Sequence, residues 1–87
     1  MDNQKLQQFR DVLDQSYQWP DYFEFKFIVK IDVRAEALAK LQGFTITETP
    51  SKQGNYISVN ARKLIKTTQE VLDVYELMST IKGIISL

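Results

Sequence analysis

A change of period at Trp19-Pro20-Asp21 constrains this chain more than any other feature. Before it, Leu6, Phe9 and Leu13 recur at i, i+3 and i+7, with Val12 and Tyr17 widening the stripe. That spacing predicts an amphipathic helix over 2–16, with Asp2 placed to cap its start and to meet the positive end of its dipole. After it, Phe23, Phe25, Phe27, Val29 and Ile31 alternate with Tyr22, Glu24, Lys26, Ile28 and Lys30. Such alternation is the two-residue period of a strand with one aromatic face. The residue before a proline is pushed out of the helical region, so the first element has to end at the bend.

The remaining elements follow by the same logic. Asp32 is expected to cap a short helix over 34–42 carrying Ala35, Leu38, Ala39 and Leu41, closed by Gly43 at the position past its end. Phe44 and Ile46 against Thr45, Thr47 and Thr49 predict a second strand. Pro50-Ser51-Lys52-Gln53-Gly54-Asn55 is turn chemistry, with Gly54 able to take a positive φ. Tyr56 to Arg62 alternates again, with Ile57, Val59 and Ala61 inward. Thr67 followed by Glu70 fits a capping box for a helix running to about Ile81, with Val71, Val74, Tyr75, Met78 and Ile81 as its apolar stripe. Gly83-Ile84-Ile85-Ser86-Leu87 reads as a terminal strand.

This order, a helix and then βαββαβ, predicts an α+β fold: an N-terminal amphipathic helix (1–18) followed by a ferredoxin-like domain (19–87). That domain is a two-layer sandwich whose four-stranded antiparallel sheet carries its helices on one face. Right-handed crossovers put the first and third strands in the centre. The expected core is Phe25, Phe27, Val29, Leu38, Ile57, Val59, Val71, Val74, Met78 and Ile85.

Composition narrows the chemistry. The 87 residues contain no Cys and no His, which removes disulfides, thiolate and imidazole metal ligands, and triads built on either residue. No carboxylate pair has a spacing that implies a shared pocket: Asp11 with Asp14, and Asp73 with Glu76, read as solvated helix faces. An enzyme is not expected, nor a metal or cofactor. Eleven bases balance eleven acids, so no global field draws the chain to nucleic acid or membrane. With neither a secretory signal at the N-terminus nor a spanning segment, a cytoplasmic location is expected.

Three features are candidates for binding. The turn holding Lys52, Gly54, Asn55 and Tyr56 offers backbone N–H groups and a cation to an anion, or is simply a hairpin loop. The stretch 52–66 carries Lys52, Arg62, Lys63 and Lys66 and no acid, whereas 1–24 has five acids against two bases, a net −3. It steers an anionic partner, meets the acidic N-terminal helix of a second copy, or is solvated. The outer sheet face, with Tyr22, Lys26, Ile28 and Tyr56, is open to a partner or to a second copy, and Trp19 is the expected anchor where the first helix meets the sheet. RNA readers of this fold stack bases on central-strand aromatics, but Glu24 and Glu48 would repel phosphate, so nucleic acid is the lesser expectation. Either the first helix or a partner's sheet is expected to cover Ile28, and a homodimer or weak self-association is expected through this face or through an edge strand, since the terminal strand ending at Leu87 leaves unpaired backbone groups.

The blocks Trp19-Pro20-x-x-Phe23-x-Phe25-Lys26-Phe27-Ile28-Val29, Ser51-Lys52-Gln53-Gly54-Asn55-Tyr56-Ile57-Ser58-Val59 and Glu70-Val71-Leu72-Asp73-Val74-Tyr75 … Ile81-Lys82-Gly83-Ile84-Ile85-Ser86-Leu87 together resemble the YbeD-like family of small bacterial proteins. The resemblance spans about 19–87. It implies an ACT-like fold and a regulatory role, one suggestion being lipoate metabolism. ACT-type amino-acid sites use a Gly-containing loop after the first strand. Lys30-Ile31-Asp32-Val33 has no Gly, so a regulatory or adaptor module that binds a protein is expected ahead of one that binds a small anionic metabolite.

Overall fold

Phe25, Phe27 and Val29 are fully buried while Glu24, Lys26 and Lys30 are exposed, so the alternation in the sequence becomes the two faces of one strand. The computed structural model describes residues 3–87. Its elements are α1 (Asn3–Ser16), β1 (Asp21–Lys30), a 3-10 turn (Ile31–Val33), α2 (Arg34–Lys40), β2 (Thr45–Pro50), β3 (Tyr56–Ile65), α3 (Thr68–Met78) and β4 (Ile85–Ser86). The four strands form one antiparallel sheet in the order β2-β3-β1-β4. This α+β architecture is consistent with the ferredoxin-like class.

A single core joins the inner sheet face to all three helices. Phe25, Phe27, Val29, Ile57, Val59, Ala61 and Ile65 meet Leu13 of α1, Ala37 of α2, and Val71, Leu72 and Met78 of α3. The Tyr75 ring stands edge-on to both Phe25 and Phe27, with centroids 5.3 and 6.0 Å away, a geometry that adds to the area the rings remove from water. α1 therefore docks on its own domain, beside α3, and leaves the outer sheet face open. Ile28 is not beneath it.

Several expectations give way to local physics. Asp32 caps nothing: it sits in the 3-10 turn, and α2 starts at Arg34 without a side-chain cap. On α2 the buried alanine is Ala37, in step with Leu41, whereas Ala35 and Ala39 are exposed. β3 runs three residues beyond Arg62 because Ile65 still reaches the core. α3 ends at Met78, short of Ile81, although Ile81 remains buried in the following turn. Thr67 accepts the Glu70 N–H as a cap should, but the Glu70 carboxylate reaches back to the N–H of Lys66 instead of that of Thr67. Leu72 lies outside the expected stripe yet is buried, since α1 covers that flank of α3.

The largest correction concerns β4. It is two residues long, and Ile85 lies opposite Ile28 on the outer face, 48% exposed, rather than in the core. Ile84 takes the inward place, half-buried. A one-residue shift exchanges every side chain between the faces of a strand, and two residues contain too little alternation to reveal the parity. Val74 and Leu38 are half-buried as well, and Ile31 leaves the strand to become 49% exposed. The cap expected from Asp2 lies outside the described residues.

Candidate functional site

With the helices on one side, the opposite face of the sheet is left uncovered by the described residues. Cross-strand partners share a face, so the register defines it: Tyr22 with Leu64, Glu24 with Arg62, Lys26 with Asn60, Ile28 with Ser58 and Ile85, and Lys30 with Tyr56. Thr45, Thr47 and Thr49 of β2 extend it. Tyr22, Tyr56, Leu64, Ile85 and Leu87 are each at least 40% exposed, and all but Leu87 occupy strand positions on this face.

Its charge is lopsided. Lys26, Lys30 and Arg62 face one carboxylate, Glu24. The Arg62 guanidinium lies 4.1 Å from the centre of the Tyr22 ring, stacked by cation–π attraction. Glu48, expected on this face, is on the other side: it pairs with Val59 in the register, and its carboxylate takes two hydrogen bonds from Arg34, at 2.6 and 2.9 Å. The Arg34 hydrogen bonds, aided by its charge and opposed by partial burial, hold the Glu48 carboxyl below the ordinary carboxylate range. At the centre of the face, Asn60 Oδ1 is closed off from solvent and has no hydrogen-bond partner among the described residues.

The candidate residues divide among three places. Lys26, Arg62 and Tyr56 share the outer face. Lys52, Gly54 and Asn55 form the turn at the end of the β2–β3 hairpin. There the Ser51, Gly54 and Tyr56 N–H groups donate to loop acceptors, the carbonyls of Tyr56 and Ser51 and the Ser51 hydroxyl. The Asn55 carbonyl accepts the Ile31 N–H, and Gly54 has φ +76°. These bonds account for Ser51, Gly54 and Asn55 as a hairpin closure. Trp19, preceding a cis proline, lies on the helix side. Its indole stacks on Tyr17, centroids 4.8 Å apart, and its N–H donates to Thr68, whose hydroxyl donates in turn to Asp14. Asp14 is thus part of the anchor while remaining exposed.

The stretch 52–66 does not make one basic surface. Strand alternation puts Arg62 outward and Lys63 inward, where its ammonium lies 5.0 Å from the Phe44 ring centre, and Lys52 sits at the opposite end of the sheet from both. Tyr22 and Tyr56 are similarly separated. Their rows are eight residues apart along β1, roughly 26 Å at about 3.3 Å per residue, too far for neighbouring stacked bases.

One feature was not legible in the sequence. Leu6, Phe9, Leu72 and Tyr75 floor a groove of about 420 Å³ between α1 and α3, rimmed by Arg10, Gln69, Glu76 and Ser79. Burial pushes the Tyr75 phenol up, and Tyr17 adds to the shift. The Arg10 guanidinium bridges the helices by donating to Gln69 at 2.6 Å. The stripes of the two helices were the only signal, and their packing against each other is a tertiary fact. Among the described residues no cluster of acidic side chains is arranged to hold a metal ion, and no helix is long and apolar enough to cross a membrane. No family model matches the chain, and neither a curated protein nor a solved structure matches it.

Proposed function

We propose that the chain is a non-catalytic, cytoplasmic adaptor or regulatory module of ferredoxin-like, ACT-like fold that binds an acidic protein surface on its open sheet face. The resemblance to the YbeD-like family points to the same class. One observation carries the reading: the outer face sets exposed apolar side chains among Lys26, Lys30 and Arg62, with Glu24 as its lone acid among the described residues. Aromatic and arginine side chains in such a setting suit protein contact, and complementary charge speeds the encounter. A small anionic metabolite is less favoured, because the grooves between α1 and α3 and at the end of β3 lie away from this face. RNA is the second reading, favoured by the removal of Glu48 from the face and opposed by the spacing of the tyrosines.

The test is a titration of the isotope-labelled chain with an Asp/Glu-rich peptide, followed by amide chemical shifts. Perturbations are expected to cluster at Lys26, Asn60 and Arg62 and to be lost in a Lys26→Glu/Arg62→Glu variant. Shifts confined to 51–55 would overturn the assignment of the face. Tighter binding of single-stranded RNA that persists at moderate salt would establish the second reading instead.

A further inference from the structure

Among the described residues, half of one edge of β1 has no neighbour. β3 pairs with all ten residues of the strand, but β4 reaches only Phe27 and Ile28, with one more bond from the Leu87 N–H to the Lys26 carbonyl. That bond fixes the direction of the backbone groups. In an antiparallel ladder a residue's N–H and C=O point the same way and successive residues point oppositely. Lys26 faces the β4 side, so Glu24 and Tyr22 do too, and their backbone groups lie along the open edge. Both residues are exposed, and the Tyr22 N–H has turned to the carboxylate of its own neighbour, Asp21, at 2.7 Å. An edge of this kind is a template for another strand.

We propose that the 21–25 edge of β1 pairs antiparallel with the same edge of a second copy of this chain, joining two four-stranded sheets into one. The open stretch is its own complement. A two-fold axis at Phe23 sets Tyr22 opposite Glu24 of the second copy and the reverse, so all edge-facing groups of both residues find partners. The match also ends where it must. The next position would set Lys26 against Pro20 of the second copy; the Lys26 carbonyl already holds Leu87, and proline has no N–H to offer. Self-complementary pairing about a dyad is the commonest form of closed assembly. Side-by-side joining leaves the outer face uncovered and doubles it, whereas face-to-face stacking would oppose Lys26, Lys30 and Arg62 to their own copies.

Light scattering across the micromolar range tests this on the full chain. The mass is expected to rise from 10.1 kDa toward twice that value. Glu24→Pro removes an edge-facing N–H while sparing the ladder to β3, and should weaken association by about tenfold or more. Ile28→Lys alters the face and not the edge, and should leave association intact. A constant mass of 10.1 kDa in the unaltered chain, or association unchanged by Glu24→Pro, overturns the proposal. Because the chain has no cysteine, register is read independently of whether the proline variant folds. Tyr22→Cys mixed with Glu24→Cys under mild oxidation should give mixed disulfide dimers in preference to either homodimer; preferential homodimers, or no cross-link, overturn the pairing.

Discussion

Trp19 shows how much one side chain at a bend can hold. Its ring contacts Tyr17 and Phe23, and its N–H begins a relay through the buried Thr68 hydroxyl to Asp14, so α1, β1 and α3 meet at one point. Trp19→Phe keeps most of the apolar contact and removes the donor. The expected loss is about 1–2 kcal/mol, one hydrogen bond with its buried acceptor left without that donor, read as a lower urea midpoint at unchanged slope. The aromatic anchor was legible from the Trp-Pro bend. The relay was not, because Thr68 and Asp14 are 54 residues apart in the chain and only the docking of α1 brings them together.

At the level of elements, legibility tracked length. β1 and β3 are ten residues each, and their alternation assigned Phe25, Phe27, Val29, Ile57 and Val59 to the core and Lys26 and Arg62 to one outer face. α2 is seven residues with alanines at 35, 37 and 39, a pattern with no helical period, and the expected core residue Leu38 is half-buried where Ala37 is buried. α2 is tied instead by charge: the forked Arg34–Glu48 pair joins its first residue to edge strand β2, with the side chains 43% and 27% exposed. Because folding lowers the Glu48 pKa, the pair's contribution is present above the unfolded carboxylate range and disappears as pH falls through the folded value. Glu48→Gln should therefore melt below the unaltered chain near neutrality and converge with it in acid. A melting difference that persists unchanged into acid would show that the pair's charge is not what matters.

For the whole molecule, the one-sided helix layer decides what the chain can present to others: a mixed basic and apolar sheet face, and the unfinished edge beside it. The face was legible because parity along β1 and β3 is strict. The edge was not, because it depends on β4 stopping after two residues. That half-covered strand has a kinetic signature. Within 21–25 the amides of Phe23 and Phe25 point to β3 and should exchange with deuterium only when the sheet opens, whereas Glu24, between them, should exchange from the native state orders of magnitude faster. The same backbone would then run two clocks at neighbouring residues, and raising the protein concentration should slow only the fast one.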